Sequence, residues 1–387
     1  MRLAMVTPLP PEPSGIADYS AELAPALAAR AELTLYSAMP PRLPGRARLA
    51  WQPVADFRGP AGAAGWDAVL YQMGNSLSHE PVYRAALHWP GIVVLHDPIV
   101  HHFISAITEH RGDGAGYVRE MLYSHGVPGG RAARGALRRV RGVVAEEWPL
   151  TGRLVDASLG VIVHSEAAAA LVRQVRPEAA IAVVPHLVAP PPRLGRLAAR
   201  RALGLPEGAL LFGVFGLVTR EKHLDATVRA LNDLASELPE WRLVVVGEDG
   251  GALDEALAVA TPEVRERTIV TGRIPWRDFG RALVAVDLAV ALRWPTLGET
   301  SGAAVRALAA GTPLVASAVG AFCELTEGVT LVPPADDAAL FAALRELALD
   351  PALRAARGEA GRRWAVATLA PSAVAERYLA AITRFAG

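Results

Sequence analysis

The segment from Arg293 to Pro313 reads RWPTLGETSGAAVRALAAGTP, and it gathers residues able to hold an anion. An apolar run, Leu288–Leu292, stops at a polar, glycine-bearing loop, and a helical pattern opens directly behind it. Arg293, Glu299, Thr300 and Ser301 fall where the strand ends, and Gly302 lets a ligand come close to the backbone. The first amides of a helix lack intrahelical partners and carry the positive end of its dipole. Such a loop suits a phosphate, although an ordinary strand-to-helix turn can carry the same glycine.

Other loops of this kind follow apolar runs. In Gly216–Lys222, behind LLFGVF, Arg220 supplies a planar fork and Lys222 a point charge, together enough to neutralise a diphosphate. The alternative is a solvated charged loop. Gly272-Arg273-Ile274, behind TIV, can meet a flat base through its backbone. Near the start, in PSGIADY (Pro13–Tyr19), Gly15 permits a tight turn and Ser14 can cap a helix with Leu23 and Leu27 on its apolar face. This is a second possible anion site. It is not a dinucleotide fingerprint, because G-x-G-x-x-G is absent from the chain. Gly74-Asn75-Ser76 follows YQM, with His79 close behind. His96-Asp97 ends GIVVLHD; the histidine either donates to a sugar hydroxyl or phosphate oxygen, or is satisfied by Asp97 or backbone. His101 and His102 stand nearby, but no carboxylate joins them at a metal-ligand spacing, so a metal site is not expected.

Twelve short apolar runs must position these loops. In the first half they are Arg2–Thr7, Leu33–Tyr36, Ala68–Gln72, Gly91–His96, Leu159–His164 and Ala182–Pro185. In the second half they are Leu210–Gly216, Arg242–Val246, Thr268–Thr271, Leu288–Leu292, Leu314–Ser317 and Val329–Val332. Near-continuous apolar strands that alternate with helical segments indicate α/β domains with parallel sheets covered on both faces. The Pro190–Pro192 run between the halves reads as a linker. Two doubly wound domains in tandem are expected, with ligands beyond the carboxyl ends of the strands, in the cleft between domains.

Composition narrows the partners. The chain has 387 residues, 52% of them apolar, enough for two packed cores. Its 39 basic residues balance 39 acidic ones, which argues against nucleic-acid binding. No apolar run reaches the ~18 residues of a membrane span. The opening MRLAMVTPLPPEP meets prolines too early for a signal-peptide core. The one cysteine, Cys323, allows no intrachain disulfide and reads as a small buried hydrophobe. A soluble, cytoplasmic protein is the expectation.

Taken in order, PSGIADY, GNS, VVLHD, VIVHS, VVPH, FGLVTREKHLDATVRAL, LVVVGE, VTGRIP, VDLAVALR, GETSGAAVRALAAGTPLV and VGAFCEL resemble glycosyltransferase family 4 over nearly the whole chain. These are retaining enzymes of the GT-B fold, with two Rossmann-like domains facing an interdomain cleft. The resemblance implies an acceptor domain over residues 1–189 and a nucleotide-sugar domain over 190–368. A final helix within 369–387 would pack back on the first domain. Lys222 would grip the donor diphosphate, Gly15 would offer it an amide, and His96 would touch the donor sugar. Arg220, Ile274, Arg293, Thr300, Ser301 and Gly302 complete the donor set. Asp18, Tyr19 and Asn75 are the acceptor-side residues, and His96 with Glu299 the catalytic pair. The acceptor would be a carbohydrate, a lipid-linked compound or a small molecule, and no cofactor beyond the donor is implied.

The pattern departs from the family in two places. The family carries two glutamates eight positions apart, the second directly before an AMA-x-G-like segment. Here Arg306 precedes ALAAG and Gly298 stands eight earlier, so Glu299 is one place out of register and the ribose-holding glutamate is missing. Leu217 replaces the arginine expected after Gly216, with Arg220 left to supply that charge. Glu299 with Ser301 can take the donor-side role in a GETS-type loop; alternatively Glu299 caps the following helix or pairs with Arg293.

No D-x-D metal motif occurs, so Arg220, Lys222 and helix amides would stabilise the leaving diphosphate. The stretch Arg131–Arg141 puts Arg131, Arg134, Arg138 and Arg141 near one helical face. It either meets a phosphate-bearing or membrane-linked acceptor as a peripheral contact, or is a solvated face paired with Glu146 and Glu147. Rival readings are a sugar-nucleotide epimerase, a phosphorylase, against which no pyridoxal-anchoring lysine is marked, and a catalytically silent GT-B carbohydrate-binding protein.

Overall fold

The computed structural model describes residues 1–43, 49–59, 65–140 and 142–386. Two units divide the chain. The first comprises Met1–Leu187, Leu297–Thr300 and the chain from Pro371 on; the second comprises Val188–Thr296 and Ser301–Ala370.

In the first unit the strands are β1 (Arg2–Val6), β2 (Glu32–Ser37), β3 (Ala50–Pro53), β4 (Ala68–Met73), β5 (Ile92–Leu95), β6 (Gly160–Val163) and β7 (Ile181–Val183). All pair in parallel, in the order β3-β2-β1-β4-β5-β6-β7. Side chains alternate across the sheet: Leu3 and Met5 of β1 join one core, Ala4 and Val6 the other. Both faces are therefore dry, which is why β1 and β4 read as unbroken apolar runs. Each leucine fully buried this way contributes about 1.5–3 kcal/mol. The helix Pro371–Ala386 closes the first of these cores. Tyr378 from it meets Tyr19, hydroxyl to hydroxyl at 2.7 Å, with both side chains fully buried.

The second unit holds β8 (Leu210–Phe215), β9 (Trp241–Val246), β10 (Thr268–Val270), β11 (Leu288–Ala291), β12 (Leu314–Ser317) and β13 (Val329–Val332). They too are parallel, in the order β10-β9-β8-β11-β12-β13. Phe212 and Val214 of β8 pack into one core and Leu211 and Phe215 into the other. The strand order reverses between β1 and β4 in one sheet and between β8 and β11 in the other. At such a switch point the connecting helices leave on opposite faces, and the loops at the carboxyl ends part to leave a crevice.

All twelve strands expected from the apolar runs are present. The thirteenth, β3, is an addition: Ala50–Pro53 pairs with β2 at the sheet edge, and its mostly exposed residues gave no apolar run to detect. Cys323 is a correction, since it lies exposed on the turn Gly320–Glu324 rather than buried. Arg141 falls outside the described residues. Among the described residues no helix is long and apolar enough to cross a membrane.

Candidate functional site

In the second unit the site begins where β8 ends. Gly216 has φ +86°, a left-handed value that suits glycine. The Lys222 ammonium lies 2.8 Å from the place a Cβ on Gly216 would occupy, and donates to the Phe215 carbonyl at 2.8 Å. A side chain at 216 would thus displace the lysine, and the glycine is there to admit it. Across the switch point, the Arg293 amide donates to Ser317 Oγ at 3.0 Å, which fixes the start of the loop after β11. Ser301 closes that loop as N-cap, its Oγ accepting from the Ala304 amide at 3.3 Å, and Gly302 opens the helix Gly302–Ala309.

Lys222, Arg293 and Ser301 wall one pocket, together with Phe215, Leu292 and Phe322. The structure thus gathers three residues the sequence marked for an anionic donor, two of them cationic, beside a helix N-terminus. Because the Ser301 hydroxyl is committed to its cap, an anion would meet backbone amides there. Arg220 lies outside this pocket; its exposed guanidinium pairs with Glu255 at 2.9 Å. Ile274 is also outside, half-buried against the core.

Arg306, where the family pattern has a glutamate, is buried, with its guanidinium 4.8 Å from the centroid of the Trp276 ring. Trp276 in turn stacks on Phe279 at 5.5 Å. A desolvated cation over an indole face is worth about 2 kcal/mol. Neither aromatic residue stood out in the sequence as a partner for position 306.

In the first unit the loops after β1, β4 and β5 converge. Ser14 caps the helix Gly15–Ala28 through the Ile16 amide at 3.2 Å. Gly15 is exposed, and a Cβ added there would meet nothing within 4 Å, so packing does not explain the glycine. Asp18 is half-buried on the first turn. Tyr19 corrects an expectation: it is fully enclosed, with its hydroxyl on Tyr378, and presents no surface to an acceptor. Asn75 ties loops together, its amide N–H donating to Asp97 Oδ2 at 2.7 Å and its Oδ1 accepting from the Phe103 amide at 2.8 Å.

His96 is held in a buried chain. Its Nε2 lies 2.7 Å from Gln72 Oε1, its Nδ1 lies 3.1 Å from His164 Nε2, and His164 Nδ1 lies 2.9 Å from the Val184 carbonyl. The carbonyl only accepts, so His164 carries its proton on Nδ1 and, when neutral, accepts at Nε2. His96 then donates from Nδ1 and accepts at Nε2. An accepting Nε2 calls for the Gln72 amide to turn its NH2 toward His96, the reverse of the placement in which Oε1 faces the ring and Nε2 points to Met5 Sδ at 3.6 Å. Burial and the neighbouring imidazoles of His164 and His186 hold His96 well below its usual pKa, and burial pushes His164 down to about 4. Both imidazoles are neutral at pH 7. Of the two roles open to His96 in the sequence, the structure shows a histidine satisfied inside the fold, by Gln72 and His164 rather than by Asp97. Neither ring nitrogen is offered to a sugar.

His79 is the contrasting case. Its Nδ1 bonds Ser76 Oγ at 3.0 Å, while its Nε2 is buried with no hydrogen-bond partner. Burial brings its pKa to about 4, and an unpaired buried nitrogen costs about 1–3 kcal/mol. The Thr300 hydroxyl is likewise buried and unpartnered. Glu299 turns back on its own loop, with Oε2 accepting from the Leu297 amide at 3.0 Å. Gly298 explains the register shift. Its φ is +85°, and a Cβ there would stand 2.4 Å from Leu171 Cδ1 and 2.5 Å from Pro98 Cγ. A glutamate does not fit at 298.

A groove of about 690 Å³ also opens on this unit, lined in part by Glu12, Phe57, Leu77, Glu80, Arg84 and Trp89. Glu80 is held down at about 2 by hydrogen bonds from Arg111 and Arg84, so it is ionised, whereas burial raises Glu12. The sequence reading missed this groove, because its walls come from four separated stretches. His101 uses both ring nitrogens, on the Trp148 carbonyl at 2.6 Å and the Tyr117 hydroxyl at 3.0 Å. Among the described residues no group of three His, Cys, Asp or Glu side chains is placed to hold a metal.

Comparison with known proteins bears on both units. Residues 209–350 match the family model described as Glycosyl transferases group 1. The chain is 32% identical over 237 residues to the 2-deoxystreptamine glucosyltransferase of Streptomyces kanamyceticus, covering 60% of this chain and 57% of that one. It is 36% identical over 210 residues to the D-inositol 3-phosphate glycosyltransferase of Streptomyces avermitilis, covering 49% and 44%. The chain thus spans about half the length of the curated relatives it matches. Among solved structures, Anabaena HepE in complex with UDP and glucose superposes with a TM-score of 0.68 at 15% identity, over 99% of this chain and 100% of that one. The second unit therefore carries the sequence pattern of the group 1 glycosyl transferases, and the two parallel sheets have the Rossmann-like fold of GT-B glycosyltransferases.

Proposed function

We propose that the protein is a retaining glycosyltransferase that takes its sugar from a nucleoside-diphosphate donor without a metal ion. One observation carries the reading: Lys222 and Arg293 line a single pocket at the β8/β11 switch point, beside the uncommitted amides that open Gly302–Ala309. Two cations and a helix N-terminus stabilise the negative charge that develops on a departing diphosphate, a role a divalent ion fills in metal-dependent transferases. The leaving phosphate can take the acceptor proton on the same face of the sugar, so the reading needs no protein general base.

The second unit holds the donor and the first holds the acceptor in this proposal. Gly15 and Thr300 supply an open amide and an unpartnered hydroxyl, Glu299 meets donor-sugar hydroxyls, and His96 acts as a positioning residue. Asp18 and Asn75 support the acceptor side, and the groove lined by Phe57 and Trp89 gives a hydroxyl-rich acceptor an aromatic wall. The relatives, named for transfer to 2-deoxystreptamine and D-inositol 3-phosphate, and HepE with its UDP and glucose, support a nucleotide-sugar donor. A cytoplasmic setting accords with a single cysteine and no disulfide.

A thermal-shift screen against UDP, GDP, ADP and their glucose or mannose conjugates tests the reading. A nucleoside diphosphate at 100 times its dissociation constant should add about 2.7 kcal/mol of stability. No shift with any of them at millimolar concentration overturns it.

A further inference from the structure

The second half of the helix Gly114–Leu137 carries a surface that the proposed reaction does not use. The helix is broken at Gly126, whose φ is +63°, and resumes to Leu137. At helical spacing, Arg131, Arg134 and Arg138 form one exposed stripe. Among the described residues, the guanidinium groups of these three and of Arg139 make no hydrogen bond or ion pair. Among the described residues, none of these four arginines pairs with Glu146 or Glu147 as the sequence allowed. Favourable interaction with the negative end of the helix accounts for Arg138 and Arg139, but not for Arg131 and Arg134 farther back.

The end of the helix is unusual in a second way. The Val140 amide donates to the Gly135 carbonyl at 3.0 Å and the Arg139 amide to the Ala136 carbonyl at 2.8 Å, the bonding of a Schellman turn. Arg139 occupies the left-handed position at φ +56°, where glycine is usual. That turn normally folds the apolar residue at Val140's position onto a side chain of the preceding helical turn. Here the position it would cover is Gly135, which has none, and Val140 is left 79% exposed. Leu137, beside the arginine stripe, is 38% exposed.

We propose that this surface docks on an anionic lipid bilayer, with Arg131, Arg134, Arg138 and Arg139 at the phosphate level and Leu137 and Val140 entering the interface. Unanswered cations beside bare aliphatic side chains match a charged surface with an apolar interior. A nucleic acid would answer the charge alone, leave Leu137 and Val140 in water, and meet a chain of zero formal net charge. The inference stands independently of the glycosyltransferase reading, since it uses none of that site's residues.

Co-sedimentation of the full chain with vesicles is the test. The protein should bind equimolar phosphatidylglycerol–phosphatidylcholine vesicles and not pure phosphatidylcholine, and should release as salt rises. Each basic residue at an anionic surface is worth about fivefold in partition, so Arg131→Ala/Arg134→Ala/Arg138→Ala should lower binding about a hundredfold. The corresponding triple lysine variant should retain binding, and Val140→Asn should weaken it at constant charge. The alanine variant should melt with the wild type, because these side chains hold nothing in the fold. No binding to the anionic vesicles at low salt, equal binding by wild type and the alanine variant, or displacement from vesicles by equimolar duplex DNA would each overturn the proposal.

Discussion

His96 Nδ1 and His164 Nε2 face each other across 3.1 Å, and one proton serves both nitrogens. Adding a second proton between these two nitrogens would set an N–H against an N–H inside the first-unit core. Both imidazoles lie more than nine-tenths buried, so water cannot relieve that conflict.

Stability should therefore fall in mild acid. His164 and His79 titrate near 4 in the folded protein and His96 well below its usual value, against about 6.5 unfolded. The unfolded chain takes up these protons first, so the stability is whole above pH 6.5 and declines as pH drops toward 4. Each group contributes about 1.4 kcal/mol per pH unit across that window. Urea midpoints at pH 7.5 and 5.0 should differ by the equivalent of a few kcal/mol; equal midpoints would contradict a neutral, buried cluster.

Lys222→Ala should leave the melting temperature nearly unchanged and weaken UDP or GDP binding by about ten- to a hundredfold. That is the scale of one charge-assisted hydrogen bond, roughly 1.5–3 kcal/mol. Calorimetry checks it, and an unaltered affinity would remove Lys222 from the donor site.

Glu299 and Ser301 should separate chemistry from scaffolding. Ser301→Ala removes the cap on Gly302–Ala309 and should cost about 0.5–2 kcal/mol of stability. Glu299→Gln keeps the shape and removes the charge. It should depress turnover of the nucleotide sugar far more than affinity for the bare nucleoside diphosphate. A fully active Glu299→Gln variant with a lowered melting point would assign that carboxylate to scaffolding.

Activity should survive EDTA. The pocket lined by Lys222 and Arg293 supplies the positive charge in the proposed chemistry. Loss of turnover in EDTA, restored by magnesium or manganese, would refute the metal-free reaction.

The sequence was most legible where a single loop carries its own meaning. Lys222 was marked as a cation from its own stretch, six residues after Gly216, while the glycine's role in admitting the ammonium came only with the structure. The twelve runs that declared themselves as strands are apolar and mostly buried; β3 is polar and at an edge, so it declared nothing. Partnerships across the chain were illegible. Tyr19 reads as a polar residue in a motif until Tyr378, at the far end of the chain, closes over it. His96 reads as a ligand until Gln72 and His164 occupy both of its nitrogens. Arg306 reads as a gap in a pattern until Trp276 lies across it.

The fit around Gly298 also limits which residues this loop can accept. A side chain there would collide with Leu171 and Pro98 and would have to adopt a left-handed backbone. Substituting glutamate should cost several kcal/mol, from overpacking of about 1–3 kcal/mol and a left-handed penalty of about 1–2 kcal/mol. The glutamate of the family pattern is thus excluded at 298 unless its neighbours yield. With position 298 closed to a side chain, the carboxylate of this loop comes from the next position, Glu299, which turns back to the Leu297 amide.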